Sequence, residues 1–341
     1  MRITAKAPCR VDLAGGTLDI WPLYLYHADG VTVNFAVDRY TTCALETRDD
    51  RRMHLLSRDL DSSEEFESLE ALRAARKYRL PLIANILRFF TPPCGLNITT
   101  HSEAPAGAGI SGSSALIIAA TSALNKLCGM GHTIEKLREI SQNIEAQIIR
   151  VPTGAQDYYP AMYGGISAIE LRVSGIRRVA IEIPHAELNR RVVLAYTGEP
   201  RNSGINNWEV TKAHIDGDRA VHRNFDKIAS IANGMRESVG AQNWNEVARL
   251  LREEWSHRRK NAPGITTPLI DRLIEATRKA GATGAKVCGA GGGGCVLFLV
   301  EPGAKQRVSE AILREGATVL DVEVASRGVR MQVEKARGAA R

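Results

Sequence analysis

The chain has 341 residues, 24% charged and 44% hydrophobic, and a formal net charge of +7. That length predicts two domains, each able to bury a core, while no apolar run is long enough to span a membrane and Met1-Arg2-Ile3-Thr4 is no signal peptide. The six cysteines show no CxxC spacing and the eight scattered histidines no helical ligand spacing, which favours reduced cytoplasmic thiols over a disulfide framework or a zinc site.

In chain order, Ala7 to Asp19 runs from a strand into the Gly15-Gly16 turn, and Arg10 and Asp19 can both face a pocket; a bland alternative pairs Arg10 with Asp12. Residues 31–47 alternate apolar and polar, which predicts a strand with one buried face. Residues 48–64 are polar and read as a solvent-facing hairpin or loop. Helical spacing over 66–90 is stopped by Thr91-Pro92-Pro93. After a short strand at 96–100, residues 115–127 read as a buried helix, and Thr133 opens a second helix that ends at Arg150. Gly164-Gly165 precedes a strand over 166–171. Near residue 185 the character changes: a central strand at 192–196, helices over 204–216, 219–239 and 243–260, and a helix capped by Thr267-Pro268 that runs to Gly281. Strands are expected at 295–300, 318–325 and 328–333, with a helix near 304–315. The lack of a strict βαβ rhythm predicts an α+β protein of two domains, 1–184 and 185–341.

The most telling stretch is Pro105-Ala106-Gly107-Ala108-Gly109-Ile110-Ser111-Gly112-Ser113-Ser114. A glycine loop that feeds a helix N-terminus aims unpaired N–H groups and the positive dipole end at an anion, naturally a phosphate. A Walker-type loop would end in Gly-Lys-Ser/Thr, and no lysine lies between Gly107 and Ala115. Gly107-x-Gly109-x-x-Gly112 matches a dinucleotide fingerprint, yet six residues separate it from the strand, and Ala123 to His132 offers no acidic residue for a ribose. Gly154-Ala155-Gln156-Asp157 places a carboxylate in a loop after the helix that carries Glu145; one carboxylate can bind Mg²⁺ and another deprotonate a hydroxyl. Lys286 to Cys295 holds five glycines within six residues, Gly289, Gly291, Gly292, Gly293 and Gly294, which suggests close backbone approach. The positive charge suits an anionic substrate or, equally, weak nucleic-acid contact; part of it is a basic tail of Arg327, Arg330, Lys335, Arg337 and Arg341.

With these segments in the order Ala7-Pro8-x-Arg10, glycine–serine loop and late glycine run, the chain resembles the GHMP small-molecule kinases over nearly its full length. Within that family Gly107 to Ser114 and Gly154-Ala155-Gln156-Asp157-x-Tyr159 look most like kinases of the anomeric hydroxyl, which include heptose-7-phosphate 1-kinases and fucokinases. The resemblance implies a ribosomal-protein-like N-terminal and a ferredoxin-like C-terminal domain, with ATP and Mg²⁺ as cofactors. It implies that Pro105 and Gly107 to Ser114 hold the nucleotide, that Ser114 and Glu145 hold Mg²⁺, that Asp157 is the base and that Arg10 stabilises the transferring phosphoryl group. Gly16, Thr17, Asp19 and Arg201 would face the sugar, and the run Gly289 to Gly294, with Gly289, Gly291 and Gly292 foremost, would support the nucleotide loop and close the site. Trp21 can stack on a sugar ring, although core packing is the expectation. Ala14-Gly15-Gly16 stands where galactokinases carry Gly-Glu-His, which argues against galactose. Cys9 replaces the family's usual glycine, Ile110 its leucine, and the loop is one residue longer than in mevalonate kinases. The expected partner is a small-molecule sugar or sugar phosphate, with no nucleic acid and no membrane; a homodimer is left open. Two alternatives stay open as well: a kinase of the mevalonate pathway and an RNA-binding protein.

Overall fold

The structure, a computed structural model, describes residues 1–199 and 203–334, with the backbone alone for 203–206. The first half folds from β1 (Arg2–Ala14), β2 (Val31–Thr47), β3 (Met53–Ser57), β4 (Ser62–Phe66), α1 (Leu69–Ala74), α2 (Pro81–Phe90), β5 (Leu96–Ser102), α3 (Gly112–Leu127), α4 (Ile134–Ile149), α5 (Tyr158–Tyr163), β6 (Ile166–Arg172) and β7 (Gly175–Ala180). The second half follows with α6 (His185–Asn189), β8 (Val192–Tyr196), α7 (Ser203–Ile215), α8 (Arg219–Gly240), α9 (Trp244–Arg258), α10 (Pro268–Ala280), β9 (Ala282–Val287), β10 (Cys295–Val300), α11 (Lys305–Arg314), β11 (Thr318–Leu320) and β12 (Arg330–Glu334).

Two sheets organise these elements. The larger has the path β12-β1-β2-β5-β3-β4, with β6 and β7 attached to the first part of β2; the smaller has the order β11-β8-β10-β9. The long β2 therefore divides its second edge, pairing β6 over Val31–Phe35 and β5 over Thr41–Thr47, while β1 runs along its other edge. The smaller sheet is antiparallel throughout, and its order with α9, α10 and α11 gives the ferredoxin-like half. The last strand, β12, returns to pair β1 of the larger sheet, so the chain's end belongs structurally with its beginning.

Several expectations are corrected. Residues 31–37 are buried on both faces, Thr32 and Asn34 included, because α3 and α8 both pack against β1 and β2. The stretch 48–64 does enter a hairpin, β3–β4, but not a solvent-facing one: β3 adds in parallel to β5 and buries Met53 and Leu55. The strand expected over 318–325 is confined to 318–320, after which the backbone of 323–325 bonds across to Ala36 and Asp38. The short elements α5, α6, β7 and β9 carry too little periodicity to be read from the sequence. Most of the buried apolar side chains form one core that spans both halves; a smaller cluster, including Ile270, Leu273, Phe298 and Ile312, lies on the other side of the small sheet.

Candidate active site

α3 begins at Gly112, and Ser111 ahead of it sits in the left-handed region (φ 60°) without a side-chain cap. The first N–H groups of the helix are thereby left open, and Gly112, Ser113 and Ser114 line a cavity of about 490 Å³. The cavity is also lined by Pro105, Gly107, Ala108, Gly109 and Ser111, and its far end by Asp59, Arg79, Leu82 and Ile83 from the β3–β4 turn and the start of α2. The Ser111 hydroxyl is buried with no hydrogen-bond partner among the described residues. Ile110 lies outside the lining; it is fully buried, and its carbonyl accepts the Arg10 backbone N–H at 2.9 Å.

Arg10, on β1 and 2% exposed, joins the loop to the carboxylate after α4. Its Nη1 donates to the Gly109 carbonyl at 2.8 Å, and its Nε and Nη2 donate to Asp157 Oδ1 at 2.9 and 2.6 Å. Both bonds to Asp157 fall on one oxygen, leaving Oδ2 without a hydrogen bond among the described residues, on a side chain 27% exposed. The alternative pairing with Asp12 exists too, at 3.6 Å, so Arg10 serves both. Asp19 lines the cavity near this pair, buried, and its Oδ2 accepts the N–H of Gln156, the residue before Asp157, at 2.8 Å. Burial, and then the charge of Asp157, push its pKa up to about 6. Gly154 permits this seat, since a Cβ there would lie 2.1 Å from Asp19 Oδ2.

Glu145 projects from α4 toward the start of α3. It accepts from Ser113 Oγ at 2.8 Å, from Ser114 Oγ at 3.3 Å and from the Tyr158 hydroxyl. Burial raises its pKa against the opposing effect of these donors. The cluster offers only hard oxygen donors beside the helix N-terminus, which suits Mg²⁺.

The sequence reading missed the frame beneath these groups. Lys286, fully buried, donates to Asp12 and, at 3.4 Å, to Glu254 Oε1. Arg258 donates to Glu254 at 2.8 Å, to the Gly16 carbonyl at 2.7 Å and to Thr17 Oγ1 at 3.3 Å. Two cations of the second half are thus threaded onto carboxylates and carbonyls of both halves, and Lys286 and Arg10 hold the Asp12 carboxyl far below the usual range against a burial effect that would raise it. The signal available was a lysine next to a glycine run and an arginine in an amphipathic helix, neither distinctive by itself.

Within the late glycine run, the contact to the nucleotide loop is made at the Gly294–Cys295 end. Cys295 N–H donates to the Ala108 carbonyl at 2.7 Å, and a Cβ on Gly294 (φ +77°) would stand 2.8 Å from that carbonyl oxygen. Gly289 instead donates to Asp12 Oδ1 at 3.1 Å and lines the cavity. Gly291 and Gly292 pack on Ile265, whose carbonyl accepts Gly292 N–H at 2.9 Å. Gly16 and Thr17 line the cavity beside Asp19. Arg201 falls outside the described residues. Trp21 is 63% exposed, which overturns the expectation of core packing.

Comparison with known proteins agrees with this geometry. The GHMP kinases N terminal domain matches residues 71–165 and the GHMP kinases C terminal domain residues 235–318, together just over half of the chain. The chain is 27% identical over 337 residues to the D-glycero-alpha-D-manno-heptose 7-phosphate kinase of Campylobacter jejuni, covering 96% of this chain and 98% of that protein. It is 25% identical over 342 residues to the bifunctional fucokinase/GDP-fucose pyrophosphorylase of Arabidopsis thaliana, covering 95% of this chain and 32% of that protein. Among solved structures, a putative sugar kinase from Campylobacter jejuni superposes with a TM-score of 0.75 at 25% identity, covering 97% of this chain and 98% of that one. No helix among the described residues is long and apolar enough to cross a membrane. The paired domain matches, on a fold whose glycine loop, arginine and carboxylates meet in one cavity, make this chain a member of the GHMP kinase family.

Proposed function

We propose that the protein is an ATP-dependent sugar kinase that transfers the γ-phosphoryl group to a monosaccharide hydroxyl, the anomeric one of a heptose 7-phosphate or a related sugar. The observation that carries this reading is the Arg10 guanidinium, bonded at once to the Gly109 carbonyl and to Asp157 Oδ1. One rigid group ties the phosphate loop to the carboxylate that would face the acceptor. The full-length similarity to a heptose 7-phosphate kinase supports the choice of acceptor.

The roles follow from positions. The open N–H groups at the start of α3 and the backbone of Gly107 to Ser113 bind the triphosphate. Ser114 and Glu145 would hold Mg²⁺, which when bound neutralises charge on the phosphate oxygens. Asp157 Oδ2, free of Arg10, accepts the proton of the attacking hydroxyl. Arg10 Nη1 and Nη2, already at the loop, stabilise charge on the group in transfer. Asp19, Gly16 and Thr17 orient the sugar.

The test is ATP consumption with heptose 7-phosphates, mannose, fucose, galactose, uronic acids and mevalonate, with the product read by phosphorus NMR. A heptose 7-phosphate converted to its 1-phosphate derivative is the expected result. Turnover of mevalonate in preference to every sugar would replace this reading with the isoprenoid one.

A further inference from the structure

Three histidines that the sequence scatters, His27, His214 and His222, meet away from the cavity. They come from three places: the turn after residues 23–26, the end of α7 and the first turn of α8. One ligand nitrogen from each lies within 4.8 Å of the other two. We propose that these imidazoles form a structural binding site for a transition-metal dication, with Zn²⁺ as the best fit.

The arrangement of protons favours metal binding. His27 Nδ1 lies 2.7 Å from Asp226 Oδ1 and must donate to that carboxylate, so Nε2 carries the lone pair. A carboxylate behind the ring of a ligating histidine fixes its tautomer and raises its basicity. His222 Nε2 lies 2.8 Å from the His214 carbonyl and donates to it, so its lone pair is on Nδ1. His214 faces His27 nitrogen to nitrogen at 2.7 Å, so in the metal-free protein its Nε2 donates to the His27 lone pair; a dication between the two rings takes that proton's place and moves it to His214 Nδ1, which is buried without a partner among the described residues. His27 and His214 are buried, and Phe225 stacks on the His27 ring at 5.7 Å, so the imidazoles are held by packing rather than by solvent.

Zinc takes histidine nitrogens at about 2.0–2.1 Å, which in tetrahedral geometry puts them about 3.3 Å apart. Binding therefore opens the 2.7 Å contact between His27 and His214 by about 0.6 Å. Three protein ligands leave a fourth position for water. The segment that carries Gly16, Thr17 and Asp19 into the cavity ends at His27, and α7 carries Asn207 into the same cavity. The metal would brace one wall of the acceptor site against the other.

The site is tested on the untagged full chain, stripped with chelator and titrated with Zn²⁺ against a chromophoric competitor, without substrate. One Zn²⁺ per chain is expected, with affinity lowered roughly 10–100-fold in His222→Gln and in Asp226→Asn. Co²⁺ in the same site should give the visible absorption of a tetrahedral complex. Should a variant misfold, the wild type alone decides: Zn²⁺ must shift the ¹⁵N resonances of all three imidazoles. Absence of stoichiometric binding, or equal binding by a folded His222→Gln, overturns the proposal. Neither result bears on the kinase reading, which rests on the other cavity.

Discussion

Asp19→Asn separates the cost of a poised carboxylate from its use. In the fold its pKa rises from the ordinary 3.8 to about 6, through burial first and the neighbouring Asp157 second. At about 1.4 kcal/mol per pH unit, keeping this group ionised at neutral pH costs about 3 kcal/mol. A raised pKa favours folding fully only below 3.8, and that contribution is lost as pH rises through about 6. Asparagine keeps an oxygen for the Gln156 N–H and cannot ionise. The ligand-free variant should therefore exceed the wild type in stability by a margin that grows by about 1.5 kcal/mol from pH 5 to pH 8 and flattens above pH 7. Urea denaturation followed by fluorescence at four pH values measures it. Because Asp157 supplies part of the effect, the margin should shrink when both proteins also carry Asp157→Asn. The same substitution should raise the acceptor KM and leave the ATP KM near that of the wild type. A margin that is flat with pH, or negative, would refute the account of Asp19 as a buried carboxylate held against its preference.

Asp157→Asn should lower kcat roughly 10²–10⁴-fold with ATP binding largely spared, and near-normal turnover would remove it as the base. Arg10→Lys keeps the charge but cannot reach Gly109 and Asp157 together, so kcat should fall roughly 10²-fold or more; unchanged kinetics would make Arg10 a structural ion pair. Gly294→Ala puts a methyl against the Ala108 carbonyl at a positive φ, at a cost of about 1–3 kcal/mol, and should raise the ATP KM above the acceptor KM. Lys286→Met removes the buried ammonium shared by Asp12 and Glu254, leaving Asp12 to Arg10 and Glu254 to Arg258, and should destabilise the protein by about 3–5 kcal/mol in chemical denaturation, with partial recovery on adding Asp12→Asn.

The legible parts of this chain were those in which local chemistry sets local structure. The span of β2, the stop of α2 before Pro92, the Thr133 and Thr267 caps and the start of α3 after a glycine loop all follow from neighbouring residues. Arg10 and Asp157 could be named because each sits in a motif of unusual composition, whereas Glu145, in an ordinary helix, is reached through the family resemblance. What escaped depends on pairs distant in sequence. Lys286 meets Asp12 across 274 positions, and His27 meets His214 across 187. A lone lysine or histidine carries no trace of such a partner. The burial of β2 on both faces is of the same kind, since the helix on its second face, α8, arrives nearly two hundred residues later in the chain. Trp21 misled for the opposite reason: its size argues for burial, whereas the backbone leaves it exposed beside a separate pocket lined by Tyr24, Glu135 and Arg138.

The loop and the carboxylate are not independent parts, and the reason is geometric. Arg10 can donate to Gly109 and Asp157 together only if its guanidinium plane is fixed, and it is fixed from below by Asp12. Asp12 is held in turn by Lys286 and by the Gly289 N–H, both from the second half. Arg258 extends the frame to Gly16 and Thr17 on the acceptor side. The phosphate loop itself rests on Cys295 N–H. Arg10, the phosphate loop, Gly16 and Thr17 are thus tied, directly or through Asp12, to residues of the C-terminal half, whereas Glu145 and Asp19 are held by partners from their own half. Substitutions in that buried frame should consequently act on kcat through orientation, and conservative replacements that preserve charge but not reach, such as Arg258→Lys, should cost more in turnover than in stability. Equal losses in both would mean that the frame only holds the two halves together.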